Sequence, residues 1–227
     1  MKRILIIIFS CFSFPIMAQQ ITYQEWKAAA KEEIRLLPKY GGAKKTPAQL
    51  ESDENFTTTT LTNEPDRRKA SDYLIKRGFD FYYKGDLKTA MFRFNQAWLI
   101  DPTNENVNWA FGSIYAFFND YENTLKQYDE GLKLNPKSSN ILTDKATIFA
   151  TKYSNGRNKK DLDTALSLYK QSYLIDSENQ NTLFKISALY FLIDDCANAK
   201  RYFNECKKLG GKPIPADYDV ALKSKCK

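Results

Sequence analysis
The sequence predicts an all-α protein of about four stacked helix-turn-helix repeats, with a helical extension before them and a capping helix after them. The first observation is a step of 34 residues, by which Gly78 recurs as Gly112, Phe81 as Tyr115, Phe94 as Tyr128 and Pro102 as Pro136. A period of this size belongs to stacked supersecondary units, none of which buries its apolar face alone. The second is an alternation of small and large residues within each step. Gly78 and Ala90 let two antiparallel helices approach closely, while Phe81 and Phe94 fill the space beside them. The third is helix-start chemistry ahead of the repeats, at Thr22 and Thr46, where a side chain satisfies an amide left free at a helix start.

In chain order, Thr22 followed by Glu25 forms a capping box, with Ile21 and Trp26 at the hydrophobic-staple positions. A helix over about 23–37 follows, ended by Pro38, Gly41 and Gly42. A weaker start at Thr46, Pro47 and Gln49 leads into a second helix over about 47–61. Its run of four threonines favours partly extended backbone, because a branched β-carbon loses rotamer freedom in a helix. Residues 19–70 are thus an N-terminal extension, either packed over the first repeat or mobile.

The repeats span about 71–104, 105–138, 139–176 and 177–211. The first turns at Gly85 and Asp86; the second substitutes Thr124 and Gly131 where the first has alanine. The third carries about seven extra residues through Ser154, Asn155, Gly156 and Arg157, read as a loop between its two helices. The fourth has Leu183, Ser187 and Tyr190, then Ala199 and Phe203, and replaces the terminal proline by Gly211 and Pro213. Residues 215–224 form the capping helix that a terminal repeat needs to cover its open face.

Gly78, Phe81, Ala90, Phe94, Ala97 and Pro102 stand where the tetratricopeptide repeat (TPR) family places its Gly, Tyr, Ala, Phe, Ala and Pro, so residues 71–224 resemble a TPR domain. The resemblance implies a right-handed superhelix that binds a protein ligand on a concave face lined by the first helix of each repeat. In that register the groove residues are Ile75, Phe79, Tyr82 and Tyr83, then Trp109, Ser113 and Phe117. Thr143 and Thr147 follow in the third repeat, and Phe184 and Phe191 in the fourth. Aromatic side chains give large contact area at low entropic cost, which suits a peptide site. TPR domains that grip acidic chaperone tails resemble one another in a Lys and Asn clamp; Ile75 and Phe79 occupy the corresponding places here, which points to apolar and main-chain contacts instead.

Lys2 and Arg3 precede an apolar run from Ile4 to Phe14, then Pro15, Ile16, Met17 and Ala18, the pattern of a cleaved secretory signal over residues 1–18. Export to a bacterial periplasm is the expectation, without membrane insertion after cleavage; a lipid anchor at Cys11 is the alternative. The whole chain has 34 basic and 27 acidic residues, and loss of Lys2 and Arg3 leaves 32 against 27. This mild, dispersed excess is not the concentrated stripe of a nucleic-acid surface. The chain has no histidine. That removes the commonest general base and metal ligand, so neither catalysis nor a cofactor nor a metal is expected.

Three cysteines follow the leader. Cys196 and Cys206 sit ten residues apart on one predicted helix, too far to bridge. Cys226 can reach one of them, and a capping helix folded back across residues 210–213 favours Cys196. Cys206 takes a position where the repeat pattern wants a small buried residue. The function that these readings favour is a non-catalytic periplasmic adaptor, gripping a peptide or helix of an envelope protein in its groove. The alternative is an accessory subunit that positions an envelope enzyme or secretion component through its convex face or N-terminal segment.

Overall fold
Eleven α-helices form among the described residues, 21–226, of the computed structural model, and a side chain caps the start of each except α7 and α11. The leader and Cys11 lie outside those residues. Thr22 and Glu25 cap each other reciprocally, and α1 runs Tyr23–Glu32. It is shorter than the 23–37 expected. Glu33 turns extended and caps Arg35, and Pro38 forces Leu37 into extended backbone, so residues 34–42 form two short 3₁₀ turns. The second, Pro38–Gly42, holds Lys39, Tyr40 and Gly41 in left-handed backbone.

The threonine run does not break α2, Pro47–Asn63, which Thr46 and Gln49 cap reciprocally. Thr62 returns its hydroxyl to the Thr58 carbonyl and Asn63 its amide to that of Thr59, so side chains that compete for backbone partners are used within the helix.

Four antiparallel hairpins follow: α3 (Arg67–Tyr82) with α4 (Leu87–Ile100), α5 (Glu105–Phe117) with α6 (Tyr121–Leu134), α7 (Ser139–Gly156) with α8 (Lys159–Ile175), and α9 (Gln180–Leu192) with α10 (Cys196–Lys208). Each turn has the same build, a residue in left-handed backbone followed by an Asp or Asn cap: Gly85-Asp86, Asn119-Asp120, Arg157-Asn158 and Asp194-Asp195. The third repeat therefore has no loop of its extra residues. They enter its helices: α7 has 18 residues where α5 has 13, and α8 has 17 where α6 has 14. The expected insertion is a longer hairpin because Arg157 and Asn158 supply the turn.

Close approach within the hairpins rests on glycine. A Cβ on Gly78 would overlap the ring of Phe94, and one on Gly112 the ring of Tyr128; both rings are buried and have no room to withdraw. Gly112→Ala is expected to destabilise the chain by about 1–3 kcal/mol, the usual penalty of overpacking, although alanine is the better helix former. Urea denaturation checks this, and an unchanged or higher midpoint would mean the rings can yield.

Polar knots set the stacking of one hairpin on the next. The Asn104 amide reaches back to the Ser71 hydroxyl and the Asp72 carboxylate, and Asn179 does the same to Ser139 and Asn140. Between repeats one and two, Glu105 accepts from Arg68 and Asn135. Its partial burial opposes ionisation, but those hydrogen bonds win and hold its carboxyl below the usual value.

The N-terminal segment packs on the outer helix of repeat one rather than in the groove. Trp26, Leu36 and Tyr40 are buried, and the Asn95 amide of α4 donates to the carbonyls of Arg35 and Leu37 at 2.8 and 3.0 Å. Two polar contacts carry the segment to repeat two, Tyr23 to Asp120 and Lys39 to Glu130, and the rings of Tyr23 and Trp26 pack on Phe118. At the other end α11 (Ala216–Lys225) folds back on the last hairpin. This brings the sulphurs of Cys196 and Cys226 to bonding distance with their Cα atoms 5.4 Å apart. Cys206 is buried beside the Gln180 carbonyl, and its burial pushes the thiol pKa up.

Candidate functional site
The first helices α3, α5, α7 and α9 each touch the next, whereas the second helices make no comparable contact with one another, so the stack bends with its first helices inside. At the repeat-one end of this inner wall lies a continuous group of rings. Phe79 is 4.8 Å from Trp109, 5.9 Å from Tyr82 and 6.0 Å from Tyr83, centroid to centroid. Tyr82 in turn meets Phe117 edge-on at 6.0 Å. Such tilted and edge-to-face pairs suit the ring quadrupole and fix the group's shape. Tyr83 is 79 % exposed, while Phe79, Tyr82, Trp109 and Phe117 are half-buried.

The group has a polar neighbour. The Trp109 indole N–H donates to Asp144 at 2.7 Å, and the same carboxylate pairs with Lys185 of α9. One carboxylate thus joins the inner faces of repeats two, three and four. Burial, with Tyr83 and Asp144 nearby, raises the Tyr82 hydroxyl above its ordinary pKa of 10, so the ring is neutral at physiological pH.

Several expected groove positions are occupied otherwise. Ile75 is 5 % exposed and belongs to the core that repeats one and two share. Ser113 is buried with its hydroxyl returned to the Trp109 carbonyl. Thr143 is 2 % exposed and bonded to Ser172 and Thr182, closing a hydroxyl knot between repeats three and four. Phe184 and Phe191 are half-buried under the chain's own α11, whose Tyr218 ring meets them at 5.3 and 5.6 Å and whose hydroxyl bonds Ser187. Thr147 stays half-buried with its hydroxyl shared between the Thr143 carbonyl and Tyr169. Within the groove the aromatic surface is therefore at the repeat-one end, on α3, its closing residue Tyr83, and α5.

Sequence reasoning missed Asp144 and Phe118. Asp144 is one position beyond the inward register, and only the reach of a carboxylate brings it in. Phe118 meets Phe117 edge-on at 5.4 Å and receives Tyr23 and Trp26 of α1 at 5.0 and 5.4 Å, so the rings run from the groove over its rim to the N-terminal segment. Among the described residues no group of three or more His, Cys, Asp or Glu is placed to hold a metal ion, and no helix is long and apolar enough to cross a membrane.

No protein-family model matches the sequence, and no curated protein matches it. Among solved structures the chain is similar to a thermophilic TPR protein of Thermus thermophilus, at 14% identity over 69% of this chain and 79% of that one, with a TM-score of 0.56. It is also similar to pilF of Pseudomonas aeruginosa, at 13% identity over 79% of this chain and 89% of that one, with a TM-score of 0.50. What is shared is the superhelical stack of paired helices.

Proposed function
The fold is a TPR superhelix, and from that premise we propose that the protein is a non-catalytic adaptor of the bacterial periplasm, gripping an apolar peptide or helix of an envelope protein against the rings of α3 and α5. The observation that carries this reading is the uncovered inner wall itself. Five aromatic side chains touch one another there, Tyr83 stands in solvent, and the N-terminal segment is fastened to the outer helix instead of covering them. Exposed, contiguous apolar surface on a monomer marks an interaction site more often than scattered residues do. Export rests on the leader pattern, and the absence of chemistry on a composition without histidine.

Tyr83 is the position that separates binding from folding, because its exposure leaves little to lose on truncation. Crosslinking of the tagged protein in its native envelope, followed by mass spectrometry, is expected to give one partner that is lost with Tyr83→Ala and weakened with Phe117→Ala, at unchanged melting temperature for the first. Partners retained in both variants would withdraw the groove and favour the convex face or the N-terminal segment.

A further inference from the structure
Thr89, Phe92, Arg93, Gln96 and Leu99 lie along one face of α4, the face a bare hairpin would turn to solvent. Here the N-terminal segment arches over it. The end of α1, the two 3₁₀ turns and α2 wall off a cleft of about 620 Å³, within the range of small-molecule sites. Phe56, Phe92, Ile34 and Leu99 give it apolar surface.

Six charged side chains line the cleft, and four of them neutralise each other. Arg35 pairs with Glu33 and lies 4.4 Å from the Phe92 centroid; Lys45 pairs with Asp53 and lies 3.2 Å from the centroid of Tyr40. The other two are Arg93 on α4 and Glu32 at the end of α1. Among the described residues neither has an ion-pair partner, nor do they pair with each other; the Arg93 guanidinium donates only to the Gln96 side-chain carbonyl, at 2.7 Å. The turn that brings Tyr40 to the cleft is made at a cost. Lys39 and Tyr40 hold φ of 54° and 58°, left-handed backbone that costs a non-glycine residue about 1–3 kcal/mol and that persists where the surroundings impose it, often at ligand clamps.

We propose that this cleft binds a small zwitterion with an apolar side chain, a free apolar amino acid or its dipeptide. Its carboxylate takes the forked donors of Arg93, its ammonium group takes Glu32, and its side chain lies against Phe56 and Phe92. The proposal does not rest on the groove, which is on the opposite side of repeat one.

The test is titration of the ¹⁵N-labelled mature protein with L-phenylalanine and, separately, with phenylalanyl-phenylalanine. The amides of Gln49, Thr89, Arg93 and Gln96 are expected to shift saturably with at least one of them, and which one binds more tightly identifies the size of the ligand. N-acetylphenylalanine and phenylalanine amide, each lacking one charge, are expected to bind about tenfold or more weakly, as are Arg93→Gln and Glu32→Gln with the zwitterion. No shift with either zwitterion, or equal binding of the blocked compounds, would overturn the proposal. The blocked compounds are tested on the unaltered protein, so this outcome does not depend on either variant folding.

Discussion

Replacing Trp26 by alanine is expected to cost about 3–5 kcal/mol, the range for truncating a fully buried large aromatic side chain, and to release the N-terminal segment without melting the repeats. Trp26 is 1 % exposed and is the largest side chain buried by the segment. Its neighbours belong to the same core as Leu87, Met91 and Phe94, and the ring meets Phe118 at 5.4 Å. The other fastenings are smaller: Ala30, Leu36 and Tyr40 buried, Phe56 and Leu61 half-buried against the same core, the Tyr23–Phe118 stack, the two Asn95 bonds, and the contacts to Asp120 and Glu130. The helix α2 carries no buried residue at all, so the segment has little to hold it once its anchor is gone. Stacked repeats draw their stability from neighbour contacts, and those of repeats three and four are remote from the segment. Hydrogen exchange should therefore rise through residues 21–64 and α4 while α7 to α10 keep their protection, and limited proteolysis should cut near residues 41–46. Equal loss of protection in all four repeats would show that the segment and the stack fold as one unit.

Cys226→Ser is expected to lower stability by about 3–4 kcal/mol in the chain-entropy account of the 30-residue loop that the Cys196–Cys226 bond closes. The effect should be local. Without the bond α11 keeps Leu222 in the core, Tyr218 against Phe184, Phe191 and Phe203, and Lys225 on the Phe191 carbonyl and Asp194. Cys206 reports on this cap, since its buried thiol, with a raised pKa, is a poor target for alkylation while α10 is covered. Mass mapping under non-reducing conditions should find Cys196 joined to Cys226 in the unaltered chain. In the variant, Cys206 should be alkylated faster and the melting temperature should fall. A free Cys226 in the unaltered protein, or a variant with neither change, would remove the bond from the account of the cap.

The repeats were legible because their signals are local and recur. The 34-residue step, the paired small residues and the turn residues recur with each hairpin, so the stack of paired antiparallel helices could be read from them. What failed was where two influences compete. The threonines of α2 read as partly extended by propensity, but the Thr46–Gln49 capping box, the Thr62 hydroxyl and the Asn63 amide supply partners that keep the helix. The seven or so extra residues through Ser154, Asn155, Gly156 and Arg157 read as a loop by composition, yet one left-handed residue at Arg157 was enough to turn the chain. The groove was legible in its register but not in its depth. Whether an inward position faces a ligand or a neighbouring helix depends on how tightly the stack bends, and Ile75, Ser113 and Thr143 fell on the wrong side of that line. The cover over Phe184 and Phe191 needed the path of α11, which a period cannot supply.

The fastening of Tyr23 to Asp120 and Lys39 to Glu130 has a mechanical meaning. A superhelix of hairpins is a spring, stretched by opening small angles between neighbours. The N-terminal segment splints the first two coils from outside, and α11 clamps the last. Between them the second coil meets the third through the smaller core of Tyr128, Ile141 and Ile148, with the Lys145–Asp129 pair and the Trp109–Asp144 bond beside it. Compliance is thus concentrated at that junction, and the Trp109–Asp144–Lys185 chain crosses it on the inside, where a change of curvature changes its length most.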